Sequence, residues 1–278
     1  MTAAPFARLL LATEHTEFDT GAEALAMALA RHCALPLAAV LPVVSNPEFE
    51  VTAPQLAARA DTEASLRCEA LQAMARAQQV ALDVTVRRGP EPDVEIVDEA
   101  RQRAADLIVI RRRGKRGFLA NLLIGEMVGK VVAQAPCSVL IAPRQAQMWA
   151  QRVMVAIDPQ SPSDATLGLA AGIAAECGQP LRVVCVAGDA AEAERAGRVL
   201  AALQHRASAI CEAVDGEVRI GRAASEVLLA AKACQADLLV IARQRGDRPQ
   251  RTGSTTQKVI GLAECPVLVH VNPSLRSA

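Results

Sequence analysis

Ala105-Asp106-Leu107-Ile108-Val109-Ile110 recurs downstream as Ala236-Asp237-Leu238-Leu239-Val240-Ile241. Beyond it, Lys130-Val131-Val132 through Ala135, Cys137, Val139 and Leu140 returns as Lys258-Val259-Ile260 through Ala263, Cys265, Val267 and Leu268. Upstream, Arg8-Leu9-Leu10-Leu11-Ala12-Thr13-Glu14 is answered by Arg152-Val153-Met154-Val155-Ala156-Ile157-Asp158, and Arg88-Gly89 by Ile220-Gly221. The matches keep their order, and the offset falls from 144 residues at Arg8 and Arg152 to 128 at Lys130 and Lys258. This pattern implies two copies of one domain, 1–143 and 151–278, joined near Arg144 to Ala150. The period is far too long for a solenoid, and 278 residues accommodate two domains of ordinary size.

Within each copy, short apolar runs alternate with helical patterns. Leu9–Thr13, Leu37–Val44, Leu82–Arg87, Leu107–Ile110 and Ser138–Ala142 read as strands of the first copy. Helices are expected from Asp19 or Thr20, either of which can cap, to His32, then over Gln55–Gln79, Val94–Ala104 and Leu123–Gln134. The second copy repeats this with strands at Val153–Ile157, Leu181–Val186, Val218–Ile220, Leu238–Ile241 and Val267–Val271. Its helices are expected over Ala165–Cys177, ended by Gly178, then Ala190–Ala207, Ala224–Cys234 and Thr255–Leu262. Such alternation means an α/β fold: a five-stranded parallel sheet, doubly wound by helices, built twice in tandem. The expected strand order is 3-2-1-4-5 in each half. An exposed last strand would be a liability, so Val139–Ile141 is expected near Val267–Val269 across a pseudo-twofold axis. Ligands of such sheets bind beyond the C-terminal strand ends at the switch point, which directs attention to the residues after strands one, two and four.

The composition excludes several functions. Lys+Arg and Asp+Glu are both 30, so no positive field recruits nucleic acid or an anionic membrane. Aromatics are 2 %, with no Tyr and one Trp, too few for stacking on single strands. Nucleic acid is therefore disfavoured as a partner. No apolar run approaches the ~18–20 residues of a membrane span, and Leu9-Leu10-Leu11-Ala12 is too short for an export signal. No membrane insertion and a cytoplasmic location are expected. None of the eight cysteines forms a C-x-x-C pair or takes zinc spacing with a histidine, so they read as reduced structural thiols, with no metal site.

No catalytic constellation emerges, and no G-x-G-x-x-G, H-E-x-x-H or P-loop is present. The loops after strand four carry the chemistry. In the second half, Ala242-Arg243-Gln244-Arg245-Gly246 leads to Gly253-Ser254-Thr255 at a helix start. Glycine and hydroxyls at a helix N-terminus suit a phosphate, although Ser254 or Thr255 could equally cap the helix. In the first half, Arg111-Arg112-Arg113-Gly114-Lys115-Arg116 precedes Gly125-Glu126. Glu126 would repel a phosphate there. The arginine run either grips an anion or is a solvated basic loop. His15, following strand one, is a further candidate.

Both halves resemble the universal stress protein family, over nearly the whole chain. The resemblance rests on the Asp-Leu-Ile-Val-Ile strand with its basic, glycine-bearing loop and on the closing Ala-x-Cys-x-Val-Leu strand. It implies a five-stranded parallel sheet flanked by helices, dimers formed through the last strand, and tandem members whose halves pair in the same way. It also implies that some members bind ATP through an Asp after strand one, backbone after strand two, and a loop of the form G-x-x-G, nine residues, then G-[ST]. Others have lost that motif and bind no nucleotide. Carried onto this sequence, the second half offers Asp158, Val186, Arg243, Gly246, Gly253, Ser254 and Thr255 as a partial site. There Ala242 replaces the first glycine and the spacer from Gly246 to Gly253 is six residues. The first half is degenerate: Glu14 replaces Asp, Arg111 replaces the first glycine, Gly114 and Gly125 have ten residues between them, and Glu126 replaces Ser.

The leading functional reading is a cytoplasmic universal stress protein that acts in stress response through protein partners, binding ATP or another adenine nucleotide in its second half. Its halves associate as a pseudo-dimer, and a homodimer is open to it. It reads as a binder before an enzyme, a slow ATPase at most. Two alternatives stand beside it: a nucleotide switch or slow ATPase, and a binder of another anionic small ligand through the Arg-rich loop.

Overall fold

Leu9–Ala12, Leu107–Arg111, Val153–Ile157 and Leu238–Ala242 are almost wholly buried along their length, as expected of central strands covered on both faces. The computed structural model describes residues 5–112, 125–243 and 253–271. Residues 6–112 with 125–148 form one compact unit, and residues 149–243 with 253–271 form another.

The first unit runs β1 (Leu9–Ala12), α1 (Thr20–His32), β2 (Leu37–Val44), α2 (Pro47–Thr52), α3 (Pro54–Ala77), β3 (Leu82–Gly89), α4 (Pro92–Gln102), β4 (Leu107–Arg111), α5 (Glu126–Gln134) and β5 (Ser138–Ala142). Its strand order is β3-β2-β1-β4-β5, with parallel pairing throughout. The second unit runs β6 (Val153–Ile157), α6 (Asp164–Glu176), β7 (Leu181–Ala187), α7 (Ala190–Ser208), β8 (Val214–Ile220), α8 (Ala223–Ala233), β9 (Leu238–Ala242), α9 (Ser254–Leu262) and β10 (Val267–His270). Its order is β8-β7-β6-β9-β10, again parallel. Each unit therefore has the 3-2-1-4-5 order and the doubly wound α/β architecture read from the sequence. No helix among the described residues is long and apolar enough to cross a membrane.

The repeated Asp has a structural task. Asp106 accepts hydrogen bonds from the backbone N–H of Ala7 (2.8 Å) and Arg8 (3.0 Å), fixing the chain as it enters β1. Asp237 does the same before β6, accepting from Ala150 (2.6 Å), Gln151 (2.8 Å) and Arg152 (2.9 Å). These N–H groups precede the strand ladder and would otherwise need water.

Helix ends also repeat. Residues Ala34, Gln79, Ala104 and Gln235 follow their helices with φ between 48° and 59°, as Gly178 does at 63°. Each is followed by a residue whose N–H reaches back into the last turn: Leu35 to Ala30, Val80 to Ala75, Ala105 to Ala100, Gln179 to Ala174 and Ala236 to Ala231. This is a Schellman closure, for which glycine is the preferred residue, and only α6 uses one.

The structure corrects several sequence expectations. α2 was not expected. β8 begins at Val214, four residues before the apolar signal at Val218, because its first residues are half-buried Asp, Gly and Glu. α5 starts at Glu126, with Gly125 extended at ψ 135° as its N-cap; residues 123–124 lie outside the described residues. Asp19 precedes α1 but makes no side-chain cap bond, because its carboxylate is committed elsewhere.

Candidate functional site

The two halves differ at the C-terminal ends of their central strands. In the second unit these ends open onto a cleft of about 540 Å³. Its floor is apolar, formed by Ala156, Ile157, Val184, Ile241 and Ala242, with Val227 and Val259 on the walls. Polar groups enter from a few places: Asp158 after β6, Arg243 after β9, Ser161, Ser163 and Thr166 around the start of α6, Thr255 and Thr256 on α9, and His270 at the end of β10. An apolar cavity with a few convergent polar groups, in the 300–1,000 Å³ range, is the usual form of a small-molecule site.

Asp158 is exposed at the rim. Its Oδ1 accepts from the Gln160 N–H at 2.9 Å, and Oδ2 has no protein partner among the described residues. Gly253 is the N-cap of α9, with φ −58° and ψ 149° and no side-chain cap bond. Ser254 and Thr255 therefore do not cap their helix, and its first turn keeps backbone donors available. α6, by contrast, is capped by Ser163, whose Oγ accepts from Thr166 N–H at 3.2 Å. His270 Nδ1 lies 2.9 Å from Thr166 Oγ1, which lies 2.9 Å from Ser163 Oγ. Burial holds the His270 pKa below its ordinary value. Behind the floor, burial and the nearby Asp158 charge push the Cys185 thiol up to about 11, too high for a reactive thiolate.

Of the residues singled out in the sequence, Asp158, Val186, Arg243 and Thr255 line this cleft. Gly253 and Ser254 stand beside it at the α9 N-terminus without lining it. Gly246 lies outside the described residues. Sequence reading missed His270, Thr166, Ser163 and Thr256. His270 looked like part of a closing strand, and only its alignment with Ala142 of the first half marks it as an added polar group.

The corresponding place in the first unit is filled. Ala12, Thr13, Glu14, Asp19, Pro42, Ile96, Ile110, Arg111 and Met127 leave about 10 Å³, room for roughly one water. The filler is Arg111, which is 8 % exposed. Its Nη1 lies 2.7 Å from Asp19 Oδ2 and 3.1 Å from Thr16 Oγ1, and its Nη2 lies 2.9 Å from Glu14 Oε1. Asp19 Oδ2 also accepts from Thr16 N–H (2.9 Å) and Oγ1–H (2.6 Å). Two carboxylates thus hold the guanidinium inside the cleft. Next to them Glu23 is buried, accepting from Thr13 Oγ1–H at 2.6 Å, with His15 Nδ1 at 3.0 Å. His15, at φ 51°, braces this network.

These contacts revise one expectation for the first half. Arg111 is committed to Glu14 and Asp19, so it does not grip an outside anion. Glu126 is exposed and faces Lys130 Nζ at 3.8 Å, while Met127 is the α5 residue that lines the space. Gly125 is the α5 N-cap. Gly114, Arg113, Lys115 and Arg116 lie outside the described residues. Among the described residues no group of three or more His, Cys, Asp or Glu is placed to hold a metal ion.

Comparison with known proteins agrees with this architecture. A sequence profile described as the Universal stress protein family matches residues 5–143 and again 150–270. Among solved structures, a universal stress protein from Archaeoglobus fulgidus DSM 4304 aligns with TM-score 0.75 at 17 % identity, covering 96 % of this chain and 98 % of its own. A putative universal stress protein from Pseudomonas aeruginosa UCBPP-PA14 aligns with TM-score 0.70 at 18 % identity, covering 99 % and 96 %. The cytoplasmic domain of a prokaryotic cation chloride cotransporter aligns with TM-score 0.57 at 13 % identity, covering 96 % of each chain. At these identities the likeness is one of fold. A comparison with curated proteins gives no match.

Proposed function

We propose that this chain, which belongs to the universal stress protein family, is a ligand-binding protein whose second half takes one adenine nucleotide and whose first half has closed its own cleft. The observation that carries the reading is the contrast between the open cleft of about 540 Å³ beside Ala242 and the space of about 10 Å³ left around Arg111. The residues of the open cleft fit a nucleotide. Asp158 Oδ2 is available to accept from ribose hydroxyls. Val184, Val186 and Ile157 offer an apolar surface for a base. The α9 N-terminus, with Thr255 and Thr256, offers donors and a favourable dipole to a phosphate, worth about 0.3–1 kcal/mol at an exposed helix end.

The reading extends to the whole protein. Residues 1–143 and 151–278 are the two domains, and the protein serves in stress response in the cytoplasm, acting through protein partners. Fold alone does not supply that role; family membership supports it.

The test is direct. Protein purified without added nucleotide is denatured, and the released small molecules are identified by mass spectrometry, with ATP titration alongside. An adenine compound released, or saturable ATP binding that is lost in Asp158→Ala, supports the reading. No adenine compound released and no binding in titration overturns it.

A further inference from the structure

The sheet order of the second unit separates charge along the cleft. β10, β9, β6 and β7 lie side by side, so the residues at their C-terminal ends form a row: His270, then Ala242 with Arg243, then Asp158, then Val186. His270 and Ala242 are register partners, and the Arg243 N–H donates to His270 O at 2.9 Å. An imidazole and a guanidinium thus border one end of the cleft, and the carboxylate lies toward the other. α6, α8 and α9 add only hydroxyl and apolar side chains to the lining, so among the described residues Asp158 and Arg243 are the charged groups that share the cleft with His270.

The imidazole is held in place. Nδ1 is bonded to Thr166 Oγ1, which is anchored in turn on Ser163. Nε2 has no protein partner among the described residues. In the first half, where the cleft is filled, the equivalent residue is the buried Ala142. The imidazole occurs only in the half whose cleft is open.

We infer that His270 is a ligand-contacting residue of the second-half cleft, that its Nε2 meets the anionic group of the bound molecule at the β9–β10 end, and that binding tightens as pH falls. The inference rests on the proposed nucleotide-binding role. In the free protein burial favours the neutral imidazole. A phosphate oxygen beside it favours the charged form, so binding takes up a proton and affinity rises through the titration range of histidine. Arg243 keeps its charge across that range and cannot produce such a slope.

The probe is adenosine 3′,5′-cyclic monophosphate, chosen because its phosphodiester keeps one negative charge throughout. Affinity is measured by calorimetry at about pH 8 and about pH 5.5 on the full chain. A rise of about one pKa unit in His270 on binding corresponds to at most about tenfold tighter binding at the lower pH. His270→Gln keeps a hydrogen-bonding end but cannot ionise, and the slope is expected to vanish in it; His270→Ala, which copies the first half, is expected to lose the slope as well. If the wild type binds with a pH slope that persists in both variants, or with no slope, the inference is wrong and the nucleotide reading survives. If the wild type binds no adenine nucleotide at either pH, both fall.

Discussion

Arg111 Nη1 lies 2.7 Å from Asp19 Oδ2, and both residues are more than nine-tenths buried. The pair closes the first cleft. Arg111 is the last residue of β4, and at the matching place in β9 stands Ala242. One side chain, reaching from the strand end toward Glu14 and Asp19, accounts for much of the difference between the two halves.

Removing that side chain is expected to be costly. Arg111→Ala leaves Asp19 buried without its cation and brings it into uncompensated repulsion with Glu14. Breaking a buried pair by deleting one partner costs about 3–5 kcal/mol. Asp19→Asn in the same background is expected to recover part of the loss, giving a coupling energy of about 2 kcal/mol in a double-mutant cycle followed by urea unfolding. Additive losses would mean that the contact is incidental.

Asp106→Ala and Asp237→Ala are each expected to destabilise their own half by about 1–2 kcal/mol, because two or three strand-entry N–H groups lose their acceptor. Asn has one acceptor oxygen where Asp has two, so Asp→Asn is expected to restore only part of this. Hydrogen exchange at Arg8 and Arg152 amides locates the effect; unchanged protection there would contradict it.

The fold was legible because its central strands are apolar on both faces and its two copies check one another. The doubled Ala-Asp-Leu signal was read as a strand start, yet its Asp works outside the strand, on a neighbouring segment far away in sequence. Four helix ends at Ala34, Gln79, Ala104 and Gln235 carried no glycine to announce them. The site was harder to read. Arg111 was recognised as an intruder at a glycine position, but its partner Asp19 was taken for a helix cap, because a carboxylate before a helix looks the same whether it bonds its own backbone or a guanidinium from another strand. His270 was hidden in an apolar strand whose last side chain turns to the cleft.

Those unannounced helix ends give a prediction of the opposite sign. Ala104→Gly is expected to stabilise the first half by about 0.5–1 kcal/mol, because a side chain at φ 48° carries a steric cost that glycine avoids, less the entropy of the freer unfolded chain. Gly178→Ala at φ 63° is expected to cost a similar amount. Thermal melts of the two variants should move in opposite directions; a loss of stability in Ala104→Gly would contradict the geometry.

Acid should weaken the first half through Glu99. Burial opposes its ionisation, but Arg103 Nε at 2.5 Å and Arg87 Nε at 2.6 Å outweigh this and hold its carboxyl below the ordinary value. A carboxyl depressed in the folded state contributes stability that is present above its unfolded pKa of about 4.3 and lost as pH falls through the folded pKa. Glu99→Gln is therefore expected to lower stability at neutral pH and to flatten its decline in acid. An unchanged acid limb would show that other carboxylates govern it.

The central claim, one open cleft and one closed by its own arginine, is tested most directly by the stoichiometry of adenine-nucleotide binding in the wild type and in Ala242→Arg, measured by calorimetry. Ala242→Arg places in the second half the side chain that fills the first, with Asp158 in reach of the strand end. The account requires one nucleotide per chain in the wild type and none in Ala242→Arg, with the fold of the variant checked by circular dichroism. Two nucleotides per wild-type chain, or undiminished binding by Ala242→Arg, would contradict it.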